Sequence, residues 1–92
     1  MTREEIAPLL EQVPGWEVVD DMKLTRSFSF PDWAQAQRFV EGAGAIAEEA
    51  GHHPDLLLRW GEVRAEIYTH KINGLAEADF ILAAKLSRLY QQ

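Results

Sequence analysis

Apolar positions along this chain repeat with helical spacing in three stretches and with strand spacing in four. Ile6, Leu9, Leu10 and Val13 follow the three-and-four spacing of one helix face. Thr2, with Glu5 three residues on, predicts a capping box at its start. Pro8 falls inside this segment and is expected to weaken or kink it. The stretch "VPGW" then ends it with two breakers. "WEVVDDMKLTRSFSF" reads as two strands around an Asp20-Asp21 turn, with Leu24, Arg26, Phe28 and Phe30 on one face and Thr25, Ser27 and Ser29 on the other.

Pro31 suits a first helical position, and Asp32 beside it suits the positive end of a helix running from Trp33 to Ala50. Trp33, Ala36, Val40, Ala43 and Ala47 form its apolar stripe, which Phe39 and Ile46 widen. The stripe is rich in small residues, which allow close packing, and Gly51 is the expected stop. "DLLLRWGEVRAEIYTH" predicts a hairpin with a type II′ turn at Gly61-Glu62. Leu75, Ala78, Leu82, Leu86 and Leu89 predict a last helix. The order is α-β-β-α-β-β-α. It predicts an α+β fold, a four-stranded antiparallel sheet with three helices packed on one face, over a single domain spanning residues 1–92.

The turn sets the register. Trp60 is expected opposite Val63, Leu58 opposite Ala65, and Leu56 opposite Ile67, all apolar and on one face. Continued outward, the same register places His53 opposite His70, close enough to share a site on the other face. His52 lies one residue earlier. Pro54 holds His53 extended and fixes how the pair leaves the long helix. Glu48 precedes His52 by four residues and is expected to reach its imidazole. Asp79 falls in the first turn of the last helix, where it is suited to cap it.

Composition narrows the chemistry. The chain has 92 residues and no cysteine, which excludes disulfides and thiolate sites and fits a reducing compartment. Nine basic residues are scattered among fifteen acidic ones, for a net charge of −6, which argues against nucleic-acid binding. No apolar run approaches a membrane span, and "MTREEIAPLL" lacks the apolar stretch of a signal peptide, so the cytoplasm is the expected location.

The histidines allow three readings. They can be structural. They can hold a metal with a carboxylate, although adjacent histidines in extended backbone point to opposite sides, which disfavours a three-nitrogen cap. They can transfer protons near neutral pH, with Glu48 and Asp79 orienting them. There is no nucleophilic triad, phosphate loop or dinucleotide fingerprint, so the expected chemistry is cofactor-free.

The spacing Glu48, His52-His53-Pro54, Trp60, His70, Asp79 resembles the signature of the pterin-4a-carbinolamine dehydratases. "GW" at Gly15-Trp16, "FSFPDW" at Phe28–Trp33 and "THKINGLAEADF" at Thr69–Phe80 extend the likeness over nearly the whole chain. The resemblance implies dehydration of 4a-hydroxytetrahydrobiopterin to quinonoid dihydropterin, the recycling step behind aromatic amino-acid hydroxylases. It implies His52 and His70 as proton-transfer residues and His53 as a pterin-binding residue, with exchange among the three left open. Glu48, Pro54, Thr69 and Asp79 would bind or support. The family also implies a homodimer or homotetramer. Two departures stand out. Ala76 occupies a position where the family has a hydroxyl residue, and Lys71 follows His70 where an acid is common. The alternative is a non-catalytic binding or assembly module on the same fold.

Overall fold

The computed structural model describes residues 1–91. The elements follow the expected order: α1 (Arg3–Glu11), β1 (Glu17–Val19), β2 (Lys23–Ser29), α2 (Trp33–Ala50), β3 (Asp55–Arg59), β4 (Glu62–Ile67), a short 3₁₀ turn (His70–Ile72) and α3 (Glu77–Tyr90). The capping box of Thr2 and Glu5 is formed, and Pro8 is carried within α1 on its exposed side. Asp20 and Asp21 turn the chain between β1 and β2 with φ of 54° and 55°, a left-handed conformation that aspartate tolerates better than most residues. Asp32, rather than Pro31, sits at the start of α2 and accepts a hydrogen bond from the Gln35 amide at 2.9 Å. Pro31 therefore lies outside the helix.

All strand pairs are antiparallel, in the order β1-β2-β4-β3. Leu24, Phe28, Val63, Ala65 and Ile67 line the inner face and are fully buried beneath α2 and α3, and Ile6 of α1 joins the same core. The small residues Ala36, Ala43, Ala47 and Ala83 are buried to 1% exposure or less, so the helices approach the sheet and each other closely. Arg26 shares the inner face without disrupting it. Its guanidinium stacks over the Phe28 ring at 4.5 Å and donates to Ser87 Oγ, which also accepts from the Trp16 indole.

Three side chains depart from the predicted stripes. Trp33, in the first turn of α2, is 44% exposed. Ala78 is also exposed, because α3 turns Asp79, Phe80, Leu82, Ala83 and Leu86 inward instead. Trp60 is 67% exposed, because it occupies the hairpin turn.

The hairpin is thus shifted from the predicted register. Arg59 pairs with Glu62, Leu58 with Val63, and Leu56 with Ala65, so Trp60 and Gly61 make the turn. Gly61 is not in the left-handed region that a type II′ turn requires at its first position. Its missing side chain serves another need: a Cβ there would lie 3.0 Å from the Phe30 carbonyl. The Phe30 amide also donates to the Gly61 carbonyl at 2.9 Å, which ties the hairpin tip to the end of β2. The shift moves each pairing by two positions, so every side chain keeps its face.

Candidate functional site

The register shift changes how the histidines meet. β4 ends at Ile67, and His70 belongs to the 3₁₀ turn, so His53 and His70 are not opposed in a ladder. Thr69 instead makes an isolated bridge with Gly74, with the Thr69 amide donating to the Gly74 carbonyl at 2.8 Å. Residues 70–73 form the small loop between them, and Asn73 closes it at φ 46°.

The organising group is Asp79. Its side chain is fully buried yet satisfied on both oxygens. Oδ1 lies 2.5 Å from His52 Nε2, while Oδ2 accepts from the Thr69 hydroxyl at 2.8 Å and from the Ala76 amide at 2.7 Å. The amide bond caps α3. Ala76 has no side-chain oxygen to return the bond, so Asp79 alone provides the side-chain half of the cap. The capping expectation for Asp79 is met, and the same carboxylate also orients an imidazole. A histidine tied to a carboxylate through Nε2 presents Nδ1 for proton exchange.

Glu48 is not His52's partner. The α2 helix ends in a Schellman pattern: the Gly51 amide donates to the Glu48 carbonyl and the His52 amide to the Ala47 carbonyl, with Gly51 at φ 65°. That reversal takes His52 off the helix, so four-residue spacing no longer applies. Glu48 Oε2 instead meets His53 Nε2 at 2.8 Å, in a pair that is 81% and 61% exposed. His52 is only 20% exposed. The adjacent histidines therefore sit in different surroundings, one anchored inward and one at the surface, with Pro54 immediately after them.

His70 is exposed, and no side-chain carboxylate holds it among the described residues. Its ring packs against Tyr68 with centroids 4.3 Å apart and planes tilted by 43°. Thr69, between them, holds Asp79, so the loop carrying His70 is pinned to the carboxylate that holds His52. No group of three His, Asp or Glu side chains with metal-binding geometry occurs among the described residues. The arrangement offers one imidazole held by a buried carboxylate and a second on the loop that Thr69 pins to that carboxylate, groups suited to giving and taking protons.

Sequence reasoning gave Tyr68 no role. Besides touching His70, it lines a cavity of about 370 Å³ together with Asp20, Lys23, Asp55, Glu66 and Asn73. Lys23 donates to Glu66 at 3.0 Å and Arg64 donates at 3.4 Å. The Lys23 hydrogen bond is the main reason that the Glu66 carboxyl is held below the usual glutamate range. Thr69's hydroxyl bond to Asp79 spans ten residues, and no spacing rule could have shown it.

The model of the family described as "Pterin 4 alpha carbinolamine dehydratase" matches residues 1–89. A Rubrobacter xylanophilus protein is 50% identical over 86 residues, covering 94% of this chain and 80% of its own length. One from Methylococcus capsulatus is 48% identical over 90 residues, covering 97% and 79%. Both carry the name "Putative pterin-4-alpha-carbinolamine dehydratase". Among solved structures, a transcriptional coactivator/pterin dehydratase from Brucella melitensis superposes with a TM-score of 0.92 at 33% identity, covering 98% of this chain and 97% of that one. A pterin dehydratase-like protein identified as a RuBisCO assembly factor shares the fold, with a TM-score of 0.71 at 24% identity over 83% and 89% of the two chains. With the family model spanning almost its full length, the chain belongs to the pterin-4a-carbinolamine dehydratase family.

Proposed function

We propose that the protein dehydrates 4a-hydroxytetrahydropterins by histidine acid–base catalysis. The observation that carries this reading is the His52 imidazole held at 2.5 Å by the buried Asp79, whose other oxygen is held by the residue preceding His70. The reaction needs one group to protonate the departing 4a-hydroxyl and another to take a proton from a ring nitrogen. The carbon–oxygen bond then breaks, water leaves, and the ring electrons close into the quinonoid dihydropterin. His52 and His70 supply the two proton transfers. His53, paired with Glu48 at the surface, contacts the substrate ring, and Pro54 sets its position. Each positioned acid or base contributes about 10²–10⁴-fold. The reading needs no metal and no further cofactor, and it includes a cytoplasmic homodimer or homotetramer serving an aromatic amino-acid hydroxylase.

The second reading is a binding or assembly module. The Brucella melitensis relative, whose name pairs coactivator with dehydratase, favours keeping it. One measurement separates the two: the rate of water loss from freshly generated 4a-hydroxytetrahydrobiopterin, with and without the protein. Acceleration that falls at least about 100-fold in both His52→Ala and His70→Ala supports the enzyme. Folded protein that leaves the rate unchanged supports the module.

A further inference from the structure

Two of the three imidazoles are oriented by carboxylates: His52 by the buried Asp79 and His53 by Glu48. His70 has no such partner among the described residues, yet it is the second proton-transfer group of the proposed reaction. Its backbone is held. The Thr69 hydroxyl donates to Asp79 at 2.8 Å, the Thr69 amide to the Gly74 carbonyl at 2.8 Å, and the Asn73 amide to the His70 carbonyl at 3.3 Å. Those bonds fix where the side chain leaves the loop. They leave its χ angles free, and an exposed imidazole on a fixed backbone still divides its time among rotamers.

The Tyr68 ring supplies the missing constraint. It lies 4.3 Å from the His70 ring, centroid to centroid, with the planes tilted by 43°. Tyr68 is the better anchored of the two. It is half-buried where His70 is exposed, and it sits among Lys23, Glu66 and Asn73. Lys23 and Glu66 are themselves joined at 3.0 Å, and Asn73 closes the loop that carries His70. Resting on the dehydratase reading above, we propose that Tyr68 is a positioning residue whose ring holds the His70 imidazole in its proton-transferring orientation, the task that Asp79 performs for His52. The contact is between the rings, so the phenol hydroxyl is not needed for it. A misplaced reacting group slows the chemical step even when substrate is bound, so the effect belongs in kcat.

The test measures kcat and KM for water loss from 4a-hydroxytetrahydrobiopterin in Tyr68→Phe, Tyr68→Ala, His70→Ala and the double variant Tyr68→Ala/His70→Ala. Tyr68→Ala should lower kcat about three- to tenfold, the factor by which an aromatic pair favours one arrangement. Tyr68→Phe keeps the ring and should retain at least about half of the wild-type kcat. On the His70→Ala background, removing Tyr68 should change kcat by less than about twofold, because no imidazole remains to be held. The NMR resonances of the His70 ring protons should shift in Tyr68→Ala, as the neighbouring ring current is lost, and stay near their wild-type positions in Tyr68→Phe. If Tyr68→Ala does not fold, Tyr68→Leu, which fills space without a ring, is held to the same outcomes. Unchanged kcat in the ring-less variant, with or without a rise in KM, overturns the positioning role and leaves the dehydratase reading standing. So does an equal loss of kcat on both backgrounds, or a set of His70 resonances that stays in place. A wild-type rate in His70→Ala overturns both.

Discussion

Asp79 shows how one residue can serve fold and site together. It is fully buried, and its three bonds tie the start of α3, the loop before His70 and the His52 ring into one unit. Asp79→Asn replaces one accepting oxygen with a donor, so at least one of these bonds is lost or reversed. The expected result is a fall in kcat of about 10²–10⁴-fold, as for other histidines whose orienting carboxylate is neutralised. A loss of ~1–3 kcal/mol in urea unfolding should accompany it. Thr69→Val keeps the carboxylate and removes one donor, so it should cost only ~1 kcal/mol and less activity. Equal kcat in wild type and Asp79→Asn would show that His52 needs no orienting partner. The residue types of this site were legible in the sequence, because imidazoles and carboxylates cluster in it. Their pairing was not. Four-residue spacing assigned Glu48 to His52, but the left-handed Gly51 had already turned the chain away from the helix axis.

At the level of elements, α2 offers a direct contrast between two glycines. Gly44 lies within the helix, and a Cβ there meets no atom of the described residues within 4 Å. Gly44→Ala should therefore stabilise the protein by about 0.5–1 kcal/mol, through helix propensity and a less flexible unfolded chain. Gly51 is equally unobstructed but has φ of 65°. Gly51→Ala should destabilise by about 1 kcal/mol and loosen the Schellman turn that delivers His52. Urea unfolding midpoints for the two variants should move in opposite directions; movement in the same direction would contradict the backbone argument. The helix stop and the strand faces were readable because they rest on local periodicity and on one glycine. The hairpin register was not, because the close approach of Gly61 to Phe30 is a contact between elements. Parity survived that error, so the inner and outer faces remained as read, while the predicted cross-strand opposition of His53 and His70 did not.

Over the whole molecule, the order of elements followed from periodicity, since seven segments of the expected type, with a four-stranded antiparallel sheet among them, leave few ways to bury one apolar face. How that assembly responds to acid depends on particular carboxylates. Glu66 bridges the outer sheet face, accepting from Lys23 and Arg64, and its carboxyl is held below the usual range chiefly by the Lys23 hydrogen bond. A carboxyl depressed in the folded state contributes stability that is complete above its unfolded value, about 4.5, and is lost as pH falls through the lower folded value. Glu5, depressed by its capping bonds to Thr2, acts in the same direction. The net charge of −6 acts oppositely, since protonating any surface carboxylate in that window relieves self-repulsion. Wild-type stability alone therefore mixes two trends, and the difference between wild type and Glu66→Gln separates them. That difference should be at most about 1 kcal/mol at pH 7, because the pair is partly solvated. It should hold down to about pH 5, shrink through pH 4 and vanish below. About 0.5 M salt should compress it throughout. A difference that stays constant from pH 7 to pH 3 would mean that Glu66 contributes by packing across the β2–β4 ladder and not by its charge.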